Sequence, residues 1–345
     1  MAAGRKARIA INGFGRIGRL FFRQAFGKFA MVAVNDLSDP ATLAYLLRYD
    51  SVYRQFDKKV KVGQSGVYHC LVVAGRKTIV LQEKDPIVLP WSRLGIDVVV
   101  EATGVFNRFA DAEAHLRAGA RKVVITAPVK DEERPDARTI LLGVNEDQFK
   151  GCRITANGSC TTNAAHPIAA IMMETVGVKK AMINTVHGYT ASQNLVDGVT
   201  KTKDVRRGRA AGVNIVPSTT GATSAVARAL PELAGKFDGL ALRVPVVTGS
   251  VVDFTFVAGR PTNTQEINNI FRRAAKQRRW RGILAVTDEP IVSSDIIGRP
   301  YGSIIDLTYT KVVAGDLVKI LSWYDNEWGY VATLTKHVEQ AARTL

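Results

Sequence analysis

The sequence predicts an α/β protein of two domains, and three observations predict it. The chain opens with a short apolar strand that runs into a glycine-rich turn and an amphipathic helix. Strand-like and helical patterns then alternate to about residue 150. Beyond it come longer strand runs: KKAMINTVHGY, LALRVPVVTGSVVDFTFVAG and SIIDLTYTKVVAGDLVKILSWY. Alternation favours a parallel sheet covered by helices, whereas long consecutive strands favour a mixed or antiparallel sheet. At 345 residues the chain can bury two such cores.

Residues 7–12 form the first strand, GFGRIG follows with Gly13, Gly15 and Gly18, and RLFFRQAFG continues as a helix. This is GxGxxG in its required context, the Rossmann-type dinucleotide-binding arrangement. Gly13 permits the tight turn, Gly15 lets the backbone approach a pyrophosphate, and Gly18 allows close helix–strand packing. A second strand, MVAVND, ends at Asp36, about twenty residues on, where a carboxylate accepts hydrogen bonds from ribose hydroxyls and repels a 2′-phosphate. NAD is the expected cofactor. YHCLVV, KTIVLQ, IDVVVEATG and RKVVITAP read as further strands. The last two end near Thr103 and Thr126, at the strand ends where a dinucleotide lies.

Residues 157–163 read NGSCTTN, and the run after Cys160 carries Ala, Ile and Met at helical spacing with Gly177 as a stop. The thiol is therefore expected at a helix N-terminus, where unpaired N–H groups and the macrodipole favour an anion and should lower its pKa below the free value of roughly 8.5. A lone cysteine is more often inert packing. His187, after a strand-like run and before polar sequence, is the expected partner base. Cys70 and Cys152 read as packing. The three cysteines show neither CxxC spacing nor a disulfide framework, so no metal site is expected.

The composition is that of a soluble globular protein, with 46% hydrophobic residues. No apolar run approaches the roughly 18 residues needed to cross a bilayer. MAAGRKARIAING enters a strand almost at once, leaving no room for a cleavable signal, so a cytoplasmic location is expected. A net charge of +16 is high for a small-molecule enzyme and leaves open a polyanion partner, phosphorylated substrates or a solvated basic surface. Two stretches, 191–213 and 287–302, read as polar loops. The final YVATLTKHVEQAARTL reads as an amphipathic helix.

INGFGRIGR, VND, EATGVF, SCTTN, TVHGYTASQ, RRGRAA, STTGATSAV, RVP, SSDIIG and WYDNEWGY, in order along nearly the whole chain, resemble the phosphorylating glyceraldehyde-3-phosphate dehydrogenases. The resemblance implies a Rossmann-type NAD-binding domain at 1–158, an α+β catalytic domain with a mixed or antiparallel sheet at 159–325, and a C-terminal helix at 326–345 returning to the first domain. It implies Cys160 as nucleophile and His187 as base. The thiolate would attack an aldehyde, hydride would pass to the nicotinamide, and phosphate would release the thioester as an acyl phosphate. Thr190, Arg207 and Arg243 map onto the substrate-phosphate site. Ser159, Thr161, Thr220, Gly221 and Arg243 map onto the inorganic-phosphate site. The resemblance adds Arg16 and Ile17 beside the pyrophosphate, Thr103 and Thr126 along the cleft, and Asn326 near the nicotinamide amide. Tyr324 and Trp328 read as packing. It further implies a homotetramer in which loop 191–213 reaches a neighbouring cofactor site.

The chain departs from the family pattern around the nucleophile, with Ala156, Gly158, Ala164 and His166 in place of the usual SNASCTTNCLAP. Gly188, Ser224 and Thr126 are further departures. Leu37 after Asp36 fits NAD preference, whereas Gly198 and Val199 match neither cofactor class, so NADP stays open. Erythrose-4-phosphate dehydrogenase is the neighbouring enzyme reading, disfavoured by the HGYT and STTGA regions. A reading of another class is nucleic-acid or acidic-partner binding through residues 272–281, within the strongly basic INNIFRRAAKQRRWRGIL.

Overall fold

A computed structural model describes residues 5–200 and 202–345, and in it the chain forms two compact units. Lys201 of the KTKDVRRGRAAG run and residues 1–4 lie outside the described residues. Of the described residues, the first unit comprises 5–140, 146–158 and 334–345, and the second 141–145, 159–200 and 202–333.

In the first unit the elements run β1 (Arg8–Asn12), α1 (Arg16–Ala25), β2 (Ala30–Asn35), α2 (Pro40–Arg48), β3 (Val60–Ser65), β4 (Tyr68–Val73) and β5 (Arg76–Leu81). They continue with β6 (Val98–Glu101), α3 (Phe109–Arg117), β7 (Lys122–Ile125), β8 (Ala137–Thr139) and β9 (Ile154–Ala156). The nine strands form one sheet in the order β3-β4-β5-β2-β1-β6-β7-β9-β8. It is parallel from β5 to β8, and the pairs β3–β4 and β4–β5 are antiparallel. β6 and β7 are buried along their whole length, as parallel strands covered on both faces must be. Val99, Val123 and Ile125 pack with Trp91 and Phe109 in one apolar core. β3 has no counterpart among the strands read from sequence: its VKVGQS is mostly exposed, so apolar alternation is absent.

The second unit contains α4 (Cys160–Thr175), β10 (Val178–Gly188), β11 (Val216–Thr219), α5 (Ala222–Ala229), β12 (Phe237–Val244), β13 (Ser250–Ala258), α6 (Thr264–Ala274), β14 (Leu284–Thr287), β15 (Ser303–Val313) and β16 (Leu317–Tyr324). Its seven-stranded sheet, β11-β12-β10-β13-β16-β15-β14, is mixed: β10–β12 and β14–β15 are parallel and the rest antiparallel. Burial in β13 alternates strictly, the mark of a sheet with one face on the core. α4 is buried from Thr161 to Met172 on every side, which its Ala-rich sequence allows.

The last helix, α7 (Trp328–Arg343), is less amphipathic than its sequence suggests. Thr333, Thr335 and His337 are buried beside its apolar residues, and its exposed positions Glu339 and Arg343 pair one turn apart. The basic stretch 272–281 is partly neutralised. Arg272 pairs with Asp288, Arg279 with Glu174, and Trp280 is buried against Gly143. No helix among the described residues is long and apolar enough to cross a membrane.

Two fully buried imidazoles, His337 and His166, carry a stability cost in acid. Burial holds His337, bonded to Thr155 Oγ1 at 2.7 Å, near a pKa of about 3, and His166 near about 4. An unfolded histidine titrates near 6.5, so between that pH and about 4 the unfolded chain binds protons that the folded chain refuses. Stability is therefore retained above pH 6.5 and lost as pH falls, by about 1 kcal/mol per pH unit for each imidazole. The thermal midpoint of His337→Gln should fall less steeply between pH 6.5 and pH 4 than that of the wild type.

Candidate active site and cofactor cleft

Ser159 caps α4. Its hydroxyl accepts from the Thr162 amide at 3.0 Å, and the Thr162 hydroxyl accepts from the Ser159 amide at 3.0 Å, a reciprocal capping box. Cys160 is thereby the first residue of the helix. Gly158 supplies the turn before it at φ 64°, in the left-handed region. Cys160 Sγ lies 3.3 Å from His187 Nε2, at the end of β10. β10 and β12 run parallel with His187 opposite Arg243, and Arg243 Nη1 reaches His187 Nδ1 at 2.8 Å and the Gly188 carbonyl at 3.2 Å. Gly188 makes room for this strand end: a Cβ there would stand 2.8 Å from the Val246 carbonyl oxygen.

The expected depression of the thiol pKa is not found. Although Cys160 is only half-buried, loss of hydration is the largest influence on its thiol and pushes it above the ordinary value. Arg243 and the Thr161 amide and hydroxyl pull against that rise without overcoming it. Burial, reinforced by the positive charge of Arg243, holds His187 near a pKa of about 3. At rest the pair is a neutral thiol beside a neutral imidazole. When Nδ1–H donates to the Gly188 carbonyl, 2.6 Å away, Nε2 is an acceptor for the thiol proton. When Nδ1 instead accepts from Arg243, Nε2–H faces a thiolate. His166 is fully buried, with Nδ1 3.1 Å from the Thr162 carbonyl and Nε2 3.0 Å from that of Leu142.

A second guanidinium belongs to the same electrostatic field, since Arg207 lowers both His187 and Arg243. Arg207 Nη1 donates to Ser192 Oγ at 2.9 Å and Nη2 to Ser218 Oγ at 2.7 Å, and Ser192 Oγ is 2.9 Å from Thr190 Oγ1. Thr190 and Arg207 are thus joined through Ser192. Thr220 Oγ1 accepts from the Ala222 amide and Gly221 caps α5. Among the described residues no hydrogen bond ties either to Cys160, His187 or Arg243.

Tyr324, read from sequence as packing, is a buried part of the site. Its hydroxyl lies 2.8 Å from Thr161 Oγ1 and 2.6 Å from Thr185 Oγ1, and its ring meets that of His187 edge-on at 5.9 Å. Ser192 and Ser218 were also missed. No spacing in the sequence marks them, because a loop and an edge strand bring them to Arg207. Asn326 Oδ1 accepts from Thr248 Oγ1, the Gly249 amide and Ser250 Oγ at 2.9–3.2 Å, which fixes the orientation of its amide.

The first unit carries a cleft of about 760 Å³ at the C-terminal ends of β1, β2 and β6, where the strand order reverses. Its lining includes Asn12, Gly13, Gly15, Asp36, Leu37 and Thr103. Gly13 has φ 90°, and a Cβ on it would lie 2.6 Å from the Thr103 nitrogen. A Cβ on Gly18 would lie 2.1 Å from the Gly13 oxygen. At Gly15 the space is open, as a pyrophosphate resting on the helix N-terminus requires. Asp36 accepts from the Phe14 and Ser38 amides at 2.8 and 3.0 Å, so its carboxylate is fixed at the rim. Arg16 pairs with Asp50 at 2.7 Å. Ile17 lies in the first turn of α1, and the Thr126 amide donates to the Glu101 carbonyl.

Beneath this cleft lies a buried polar chain that sequence reading did not anticipate. Trp91 Nε1 donates to His115 Nδ1 at 3.0 Å, so Nε2 donates to Glu101 Oε2, also at 3.0 Å. Asn12 Nδ2 donates to the same oxygen at 2.6 Å, and the Thr103 amide and hydroxyl donate to Oε1. Asn35 Nδ2 in turn donates to Asn12 Oδ1 at 2.7 Å. One carboxylate with four donors holds two residues of the cleft lining, Asn12 and Thr103, directly and a third, Asn35, through Asn12.

Comparison with known proteins covers both units. The family model for the NAD binding domain of glyceraldehyde 3-phosphate dehydrogenase matches residues 7–109, and that for its C-terminal domain matches residues 159–326. The glyceraldehyde-3-phosphate dehydrogenase of Streptomyces coelicolor is 46% identical over 328 residues, 94% of this chain and 95% of that protein. That of Mycolicibacterium smegmatis is 45% identical over 348 residues, 98% of this chain and 99% of that protein. Glyceraldehyde-3-phosphate dehydrogenase 2 of Bacillus subtilis is 44% identical over 340 residues, 96% and 97% of the two chains. With a glycine-turn cleft in one unit, a capped cysteine beside a histidine in the other, and likeness of this extent across both, the chain belongs to the glyceraldehyde-3-phosphate dehydrogenase family.

Proposed function

We propose that Cys160 carries the acyl group in the phosphorylating oxidation of D-glyceraldehyde 3-phosphate to 1,3-bisphosphoglycerate, with NAD and inorganic phosphate as co-substrates. The observation that supports this most directly is the 3.3 Å approach of Cys160 Sγ to His187 Nε2 at the head of a buried helix. His187 takes the thiol proton, and Sγ forms a bond to the aldehyde carbon while its oxygen gains a proton. As the thiohemiacetal is oxidised, His187 removes the hydroxyl proton and a thioester remains on Sγ. NAD supplies the hydride acceptor. Inorganic phosphate then attacks the thioester carbon, the C–S bond breaks, and the thiolate departs from an acyl phosphate. Erythrose-4-phosphate dehydrogenase is not favoured, because the relatives compared are glyceraldehyde-3-phosphate dehydrogenases.

Thr190, Arg207 and Arg243 are assigned to the substrate phosphate, supported by the hydroxyl and guanidinium contacts through Ser192. Ser159, Thr161, Thr220, Gly221 and Arg243 are assigned to inorganic phosphate. Gly13, Gly15, Arg16, Ile17, Gly18, Asp36, Thr103 and Thr126 are assigned to NAD, together with Asn326, whose fixed amide suits the nicotinamide carboxamide. The fixed Asp36 carboxylate disfavours the 2′-phosphate of NADP. Residues 1–158 are assigned to cofactor binding, 159–325 to catalysis and 326–345 to the closing helix. A homotetramer is supported by the exposed Leu195, Val196, Val199 and Val213 of loop 191–213, an apolar surface suited to a second copy. Cytoplasmic residence accords with a glycolytic role. The pairing of Arg272 and Arg279 and the burial of Trp280 leave residues 272–281 with no observation that favours nucleic acid.

Two experiments test this reading. Wild-type protein mixed with glyceraldehyde 3-phosphate and NAD should release NADH only as a burst matching the enzyme when phosphate is withheld, and turn over continuously when it is added. Cys160→Ser should do neither, and sustained turnover by that variant would exclude the cysteine route. Because Arg243 opposes the rise in the thiol pKa, Arg243→Gln should shift the pH profile of Cys160 alkylation by iodoacetamide to higher pH. An unshifted profile would remove Arg243 from the electrostatics of the nucleophile.

A further inference from the structure

At the opposite ends of the strands that carry the cofactor cleft, the first unit has a second groove, of about 520 Å³. It lies by Arg8 at the start of β1, Ala30 at the start of β2 and Arg76 at the start of β5, with the turn after α1 as one wall. Four cations line it, Lys6, Arg8, Arg76 and Lys77, together with Phe26 and Phe29, and no carboxylate does. Among the described residues none of the four has a salt bridge. Lys6 and Lys77 reach the carbonyls of Gly27 and Gln64, and Arg8 those of Leu94 and Gly95. Asp97, which accepts from the Arg8 amide, is already shared by Arg5 and Arg121. Local acid is thus used up, while Lys6, Arg76 and Lys77 line one concave site with no carboxylate partner and Arg8 stands at its edge, its guanidinium held by the Leu94 and Gly95 carbonyls.

We propose that this groove binds a small, multiply phosphorylated anion, at a site separate from both the cofactor cleft and the catalytic cysteine. Its volume is that of a small-molecule site. The Arg76 guanidinium offers forked donors to phosphate oxygens, two ammonium groups add point charges, and Arg8, whose Nε and Nη2 are held by the Leu94 and Gly95 carbonyls, adds positive charge at the edge. The aromatic rings argue for phosphate alone over single-stranded nucleic acid. Phe26 is covered by the Arg76 guanidinium at 5.5 Å, and Phe29 is buried and stacked on Phe21, so neither offers a free face to a base.

Calorimetric titration of the NAD-saturated, full-length protein with tripolyphosphate tests the proposal, with Arg207→Ala as the background in which the catalytic anion site is weakened. The expected result is one tripolyphosphate per chain, bound more tightly than inorganic phosphate, retained in Arg207→Ala and weakened by rising salt. In Arg76→Gln/Lys77→Gln, which alters only exposed side chains, affinity should drop about tenfold or more while the thermal midpoint and NADH formation stay at wild-type values. Unchanged affinity in that double variant would overturn the proposal. So would loss of binding in Arg207→Ala, displacement by NAD, or binding of single-stranded RNA without binding of tripolyphosphate. Each of these outcomes leaves the catalytic role of Cys160 untouched.

Discussion

The parallel register between β10 and β12 is the constraint on which the candidate active site depends. It sets His187 opposite Arg243, so one strand pair delivers an imidazole and a guanidinium to the same point. The capping box then fixes where α4 begins and makes Cys160 its first residue, within 3.3 Å of that imidazole. Backbone hydrogen bonds, repeated along a whole strand, hold this geometry more rigidly than the side-chain contacts could alone. A one-residue slip would turn His187 to the other face of the sheet.

That geometry brings opposing electrostatic influences together. The helix N-terminus and Arg243 favour a thiolate, but burial disfavours any charge and prevails in the resting site. His187 is correspondingly a weak base in isolation, and its tautomer is governed by whether Nδ1 faces Gly188 or Arg243. Tyr324 holds Thr161 and Thr185 from below, and burial raises its own phenol, keeping it a neutral hydrogen-bonding strut. In the other unit Glu101 is a comparable anchor. By satisfying all four of its donors it avoids the penalty of a lone buried carboxylate and fixes Asn12 and Thr103 at the cleft.

Much of this was legible in the sequence because it rests on local rules. The strand, glycine turn and helix of residues 7–25 follow from period and from the steric freedom of glycine, and the start of α4 follows from Ser159 and the apolar run beyond it. The pairing of Cys160 with His187 was legible as chemistry, a nucleophile and a base in suitable surroundings. β3 was not, because an exposed edge-side hairpin carries no apolar signal. The burial of the polar residues of α7 was not either, since Thr333 and His337 read as polar until their surroundings are known.

By itself, then, the sequence determined the elements, the glycine turn, the capped cysteine and the residue types able to form or break an acyl bond, all of which depend on neighbours a few residues apart. Only the tertiary structure decided the proton balance of Cys160 and His187, because desolvation is a property of everything packed around a group. It alone joined Trp91, His115, Glu101 and Thr103 into one chain, and Arg207 to Ser192 and Ser218. These contacts link segments far apart in the sequence, and no local pattern encodes a meeting that the fold has still to make.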